Sequence, residues 1–300
     1  MPYGDAAIAA GAALICGGGI VAVATETVYG LAGDARSADA VAAIYAAKGR
    51  PDFNPLIVHV LDLAAAEQVA VFDPRSRALA ERFWPGPLTL VLPLRADAGI
   101  ATLATAGLAT VALRVPAHRV IRALLDASAT PLAAPSANAS GGISPTCAAH
   151  VAASLAGRIP LVIDDGRTRA GVESTIVAGV AILRPGPVTV EQLAPYGIGT
   201  GAPGGGIVAP GQLASHYAPA KPLRLNAAAA TADEWLIGFG AVAGDDTLSR
   251  TGDLSEAAAN LFDALHRADA CRRTRIAVAP VPAKGIGVAI NDRLARAAHR

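Results

Sequence analysis

Residues 38–61 read ADAVAAIYAAKGRPDFNPLIVHVL. The first eleven repeat apolar side chains at helical spacing, a glycine and two prolines break the pattern, and the last six form an apolar run of strand length. A helix that feeds a buried strand through a short loop is the unit of an α/β fold. Outward from this unit the alternation continues. Upstream, Asp5 is placed to cap a helix running to Cys16, Gly17, Gly18 and Gly19 end it, and IVAVA (20–24) follows as a strand. Downstream, strands are predicted at LTLVL (88–92), VALRV (111–115), PLAAP (131–135), LVID (161–164), STIVA (174–178) and AILR (181–184). Helices are predicted near 75–83, 118–126 and 145–155, the last with Ser144 as N-cap and Pro145 at its first position. Strands outnumber helices between residues 85 and 185, which predicts a twisted mixed sheet rather than a strictly doubly wound one.

The composition changes near residue 197, where GIGTGAPGGGIVAPGQ (197–212) is rich in Gly and Pro, lacks periodicity and reads as a linker. Beyond it PLRLN (222–226), WLIGF (235–239) and RIAVAP (275–280) read as strands, and 254–268 and 286–298 as helices. The expected organisation is a first domain over 1–200, a linker and lid over 201–221, and a small α/β domain over 222–300.

Across 300 residues, 25 Lys and Arg nearly balance 24 Asp and Glu. That balance offers no general field for a polyanion and disfavours strong sequence-independent nucleic-acid binding, leaving room for local basic clusters. Every apolar run is broken well short of the roughly 20 residues a membrane span needs. The opening MPYGDAAIAA lacks the basic region of a secretory signal, so a cytoplasmic protein is expected. Cys16, Cys147 and Cys271 lie far apart and form no CxxC pair, which argues against a zinc knuckle or a disulfide scaffold.

Polar islands interrupt the apolar elements. TETVYG (25–30) follows a strand, the place where α/β folds bind ligands and also an ordinary turn. Lys48 and Arg50 sit at a helix C-terminus, where cations suit the macrodipole as well as a ligand. His59 lies inside an apolar strand, and a buried histidine of this kind is more often structural than catalytic. In APSANASGG (134–142), small hydroxyls, an amide and glycines permit close backbone approach and converging N–H donors, a chemistry suited to phosphate oxygens. The GxxxxGK[ST] pattern is absent. VESTIV (172–177) and ILRPG (182–186) bring Ser174 and Arg184 into the set, and ALRVP (112–116) adds Arg114.

Taken in order, TETVYG, KxRP with NPL and a histidine, ALRVP, APSAN, VESTIV and LRPG resemble the YrdC/Sua5 family. SHYAP (215–219) and VAINDRLARAA (288–298) look like its two-domain Sua5 type. The resemblance spans nearly the whole chain. It implies a YrdC-like twisted mixed sheet with helices, plus a small C-terminal Rossmann-like α/β domain. It also implies a nucleotidyltransferase that makes threonylcarbamoyl-AMP from L-threonine, bicarbonate and ATP, the activated intermediate for N6-threonylcarbamoyladenosine in tRNA. Carried over by motif, L-threonine meets Thr27, His59, Arg114, the backbone at Ala134, and Ser174. ATP meets Arg50, Asn54, Thr110, Ser136, Ser144 and Arg184, with Tyr217 reaching back from the linker. Lys48, Arg50, Ser136 and Asn138 serve catalysis at the phosphates. The resemblance implies Mg²⁺ carried on the ATP phosphates, no protein metal site, a downstream tRNA threonylcarbamoyltransferase complex as partner, and weak or absent direct tRNA binding.

Three features depart from the family pattern: Ala24 stands in place of a proline, Asp165 in place of a glycine, and the loop before Arg184 is short. A carboxylate at Asp165 would repel phosphate unless it points away. Ser136 and Arg184 are expected to be solvated, so that alanine at either costs little stability. Two other functions compete. A carbamoyl-transfer enzyme is disfavoured by the missing zinc-finger cysteines, and a non-catalytic RNA-binding module by the near-zero net charge.

Overall fold

The computed structural model describes residues 1–200, 209 and 216–299. Helix α1 (Asp5–Cys16) packs beside a nine-stranded sheet built from β1 (Val21–Val23), β2 (Gly30–Asp34), β3 (Ile57–His59), β4 (Leu88–Pro93), β5 (Thr110–Arg114), β6 (Leu132–Ala133), β7 (Val162–Ile163), β8 (Thr175–Ala178) and β9 (Ala181–Arg184). The order across the sheet is β7-β1-β2-β6-β3-β5-β4-β8-β9. Pairs β1/β7, β3/β5 and β4/β8 are parallel and the rest antiparallel, so the sheet is mixed as the sequence predicts. Helices α2 (Ala38–Lys48), α3 (Leu63–Val69), α4 (Pro74–Phe83), α5 (Arg119–Ser128), α6 (Ala148–Leu155) and the short α7 (Val190–Leu193) complete this unit. Its core joins Val21, Val23, Leu31, Val58, Leu90 and Leu113 of the sheet to Val41, Ile44, Ile121 and Leu124 of the helices.

Local chemistry sets the helix ends. Ser37, Asp62 and Asp73 accept backbone N–H bonds as N-caps of α2, α3 and α4. Gly49 takes the left-handed conformation that stops α2, which puts Lys48 on the last turn. Asp5 is not a cap: Gly4 holds that position and Asp5 lies in the first turn, where its charge suits the macrodipole. Ser144 is not a cap either. Helix α6 begins at Ala148 behind Cys147, and the Ser144 hydroxyl is spent on a carboxylate described below. The strands predicted at 131–135, 161–164 and 222–226 shorten to two ladder residues each, because their ends turn into loops.

The second unit is a four-stranded sheet of β10 (Leu223–Arg224), β11 (Glu234–Gly238), β12 (Asp246–Thr247) and β13 (Arg275–Val278) with α8 (Leu254–Ala270) and α9 (Gly287–Ala298). Its order is β10-β13-β11-β12 and every pair is parallel, the Rossmann-like arrangement expected. Its apolar cluster extends to Val28, Ile143 and Val172 of the first unit and includes Tyr217. Most of the predicted linker lies outside the described residues. No helix among them is long and apolar enough to cross a membrane.

Candidate active site

Parallel pairing sets His59 of β3 opposite Arg114 of β5 at the ends of their strands. Around them opens a narrow cleft lined by residues from the sequence islands: Thr27, Arg50, His59, Arg114, Ala134, Ser136, Ser174 and Arg184. Tyr217 and His216 close one side. With three arginines and one carboxylate, Glu173, the lining is suited to a polyanion.

Arg114 is buried and held on three sides. Its Nη2 lies 2.6 Å from Glu26 Oε1, its Nη1 donates to Thr27 Oγ1 at 3.1 Å, and its Nε donates to the Gly86 carbonyl at 3.2 Å. Burial, the largest single influence, would raise the Glu26 pKa, but the charge and hydrogen bond of Arg114 together with backbone N–H bonds from Glu26 and Ala117 hold the carboxyl below its usual value. His59 is driven down to about 3 by burial and by the neighbouring Arg114, so its imidazole is neutral and can both donate and accept. Its Nδ1 is buried without a partner. Ser174 Oγ bonds Thr89 Oγ1 at 2.7 Å and accepts from Arg184 Nη2 at 3.1 Å, while Arg184 Nε donates to the Ser174 carbonyl. Arg184 is only 4% exposed, which corrects the expectation that it is solvated.

Lys48 does not line the cleft. Its buried ammonium donates to the carbonyls of Ser136 and Asn138 at 2.5 and 2.6 Å, fixing the 136–142 loop from below. Burial, then the charge of Arg50, pushes its pKa well down. Arg50 reaches the cleft while bonding the carbonyls of Asn54 and Pro55, and burial lowers it to about 10, still charged at neutral pH. The Asn138 amide braces Ala139 and Gly142, leaving its own oxygen buried and unpartnered, as is the side-chain oxygen of Asn54. Thr110 opens β5, at the opposite end of that strand from Arg114, and lies off the lining. Ser144 is fully buried and its hydroxyl donates to Glu173 Oε1.

Asp165 points away from the cleft. It forms a two-pronged pair with Arg119 at 2.5 and 2.7 Å and lies 3.6 Å from His118. Ala24 is core, and the short loop before Arg184 is the two-residue turn, Gly179 and Val180, of the β8/β9 hairpin.

Four residues in or beside the cleft escaped the sequence reading: Glu26, Glu173, His216 and Arg293. Glu173 Oε2 accepts from Nε of Arg293, a fully buried residue of α9, at 2.8 Å. The same guanidinium lies 5.2 Å from the Tyr217 ring centroid, and the Tyr217 hydroxyl is buried without a partner. Burial pushes His216 down to about 3. A carboxylate entering an apolar strand at 173 and an arginine on an apolar helix face at 293 were the available signals.

Residues 13–186 match the Sua5_yciO_yrdC family model, described as "Telomere recombination", and residues 188–299 match one described as "Threonylcarbamoyl-AMP synthase, C-terminal domain". The chain is similar to the threonylcarbamoyl-AMP synthase of Bacillus subtilis, at 40% identity over 98% of this chain and 93% of the relative. It is also similar to that of Pyrococcus abyssi, at 38% identity over 93% and 90%. Among solved structures, P. abyssi Sua5 complexed with L-threonine superimposes with a TM-score of 0.88 at 37% identity, covering 97% of this chain and 94% of that one.

Proposed function

The chain belongs to the Sua5–YciO–YrdC family, and from that premise we propose a threonylcarbamoyl-AMP synthase whose cleft unites L-threonine, bicarbonate and ATP. The observation that supports it is the convergence of Arg50, His59, Arg114, Ser174 and Arg184 in one largely buried cleft. Threonine's amine adds to carbon dioxide from bicarbonate and loses a proton to give a carbamate. A carbamate oxygen attacks the α-phosphorus of ATP in line, the bond to the β-phosphate bridging oxygen breaks, and pyrophosphate leaves. Both partners are anions, so the protein's task is positioning and charge stabilisation.

Arg114 offers its planar fork to the threonine carboxylate. Thr27, neutral His59, Ser174 and the backbone at Ala134 fix the remaining polar groups. Arg50, Arg184 and Ser136 face the nucleotide, and Lys48, Asn54 and Asn138 act beneath them by holding the phosphate-side loops. Ser144 acts through Glu173, while Thr110 begins β5 at the end away from Arg114 and lies off the cleft lining. Tyr217 forms the wall that closes over the nucleotide.

No group of three or more His, Cys, Asp or Glu side chains among the described residues is set to hold a metal, and both the cleft carboxylate, Glu173, and Glu26 beside Arg114 face arginines. This donor set suits a phosphate rather than a bare cation. Bound ATP would bring magnesium on its own phosphates, where the ion would neutralise charge. The adenylate passes to a tRNA threonylcarbamoyltransferase complex in the cytoplasm, with direct tRNA binding by this chain weak or absent.

The test is incubation with ATP, Mg²⁺, bicarbonate and labelled threonine, followed by chromatography. A labelled adenylate and pyrophosphate should form only when all are present; ATP consumption indifferent to threonine would overturn the reading.

A further inference from the structure

We propose that Arg293 of the second domain is the counter-ion that lets an anion enter the nucleotide end of the cleft, by cancelling the charge of Glu173. Glu173 lines the cleft beside Arg184, His216 and Tyr217, so its carboxylate faces the space assigned to phosphates. One of its oxygens accepts from Ser144 and the other from Arg293. Among the described residues Arg293 is its salt-bridge partner, at 2.8 Å.

The pair is fully desolvated, Arg293 at 0% and Glu173 at 6% exposure. A buried ion pair contributes little net stability, because the cost of desolvating both charges offsets their attraction. Apolar residues would join the domains at least as well. What such residues could not do is carry a positive charge into the floor of the cleft. Arg293 is itself oriented by Asp292, whose carboxylate takes its Nη1 at 2.6 Å, and its guanidinium also steadies the Tyr217 ring. Arg293 is thus a positioning residue: it touches Glu173 and Tyr217, and through them sets the charge and shape that the nucleotide meets. Arg184 of the first domain also acts on the Glu173 charge, but among the described residues the direct ion pair comes from the second domain.

The inference rests on the synthase reading only in taking ATP as the anion. Calorimetric titration of the full-length chain with ATP, alongside melting curves, tests it. Arg293→Met should weaken ATP binding roughly tenfold or more, since it leaves an uncancelled charge beside the phosphates in a medium of low effective dielectric. Arg293→Lys keeps the charge but not the several donors or the ring contact, and should fall between the parent and Arg293→Met. Glu173→Gln, nearly isosteric and still able to accept from Ser144, should tighten ATP severalfold. The double variant Glu173→Gln/Arg293→Met should return close to the parent, a rescue that a packing role would not give. A double variant no better than Arg293→Met, with parental melting, overturns the inference. Should Arg293→Met fail to fold, Glu173→Gln decides, and unchanged affinity there overturns it equally. A parent chain that binds no ATP overturns the synthase reading and this inference with it.

Discussion

Arg114 holds the carboxylate of Glu26, and in the proposed reaction it takes the substrate carboxylate as well, a task suited to a planar group with several donors. Arg114→Lys offers one ammonium to Glu26, Thr27 Oγ1 and the Gly86 carbonyl. The KM for threonine should therefore rise about tenfold or more, as loss of a charge-assisted fork implies, while that for ATP changes little. Steady-state kinetics with each substrate varied in turn checks this, and a parallel rise in both would remove Arg114 from the threonine site. His59 and His216, held at about 3, and His150 and His266, at about 4, share a second residue-scale consequence. Each folded pKa lies below the unfolded value near 6.5, so the unfolded chain takes up protons that the folded chain refuses. Their stability contribution is complete above about pH 6.5 and is lost as pH falls toward 3–4. Between pH 6.5 and 4.5 these histidines dominate, because Glu26 and Glu173, held below the usual 4.5, change their contribution only as pH falls below that value. His59→Gln should flatten the fall by up to one proton, about 1.4 kcal/mol per pH unit. Urea midpoints at pH 7.5, 6 and 5 measure it, and an unchanged slope would mean that His59 is charged in the folded protein.

Helix α2 carries its functional residue at its last turn, where Lys48 ties two carbonyls of the 136–142 loop. Lys48→Met fills similar space but leaves both carbonyls without their donor, at about 1–3 kcal/mol for each buried group left unsatisfied. Hydrogen exchange should accelerate in residues 136–142 ahead of the rest of the sheet, and uniform protection would show the strap to be dispensable. The helix and the strand after it were legible from spacing alone, because apolar periodicity and a glycine stop are local signals. Strand β2 was not: GLAGD is small rather than β-branched, and its ladder depends on β1 and β6. The two-residue strands were overextended for the same reason, since pairing partners rather than propensity set their ends. In the site, the islands carrying Arg50, His59, Arg114, Ser174 and Arg184 were visible as polar breaks in apolar runs. Glu26, Glu173 and Arg293 acquire their meaning only from partners far away in sequence. Burial also reverses the expectation for Arg184, which is bonded twice to Ser174. Arg184→Ala should cost about 1–3 kcal/mol of stability as well as nucleotide affinity, read from urea melts with and without ATP.

The first domain reaches α8 closely at Gly171. Its φ is +68°, and a Cβ there would lie 2.2 Å from the Ala258 carbonyl oxygen and 2.4 Å from the Ala259 Cα, both backbone atoms of the second domain. Around this point Asp263 of α8 pairs with Arg167 and lies 3.4 Å from His150, and His266 meets the Ser144 carbonyl. Gly171 precedes Glu173 by two residues, so whatever moves α8 away moves Arg293 and Tyr217 relative to the cleft. Gly171→Ala puts a side chain into left-handed backbone, at roughly 1–2 kcal/mol, and forces a methyl into main chain that cannot yield as a side chain would. Neither sheet needs residue 171 for its ladder, so both should remain folded while the domains separate. Far-ultraviolet circular dichroism should stay near parental, the radius of gyration from X-ray scattering should increase, and adenylate synthesis should fall at least about tenfold, the loss assigned to an uncancelled Glu173. Adding Glu173→Gln to Gly171→Ala should recover part of ATP binding but little synthesis, because the charge is relieved while the Tyr217 wall is still absent. Parental scattering with parental activity in Gly171→Ala would show that the close approach is not what holds the domains, and that the cleft is organised from within the first sheet.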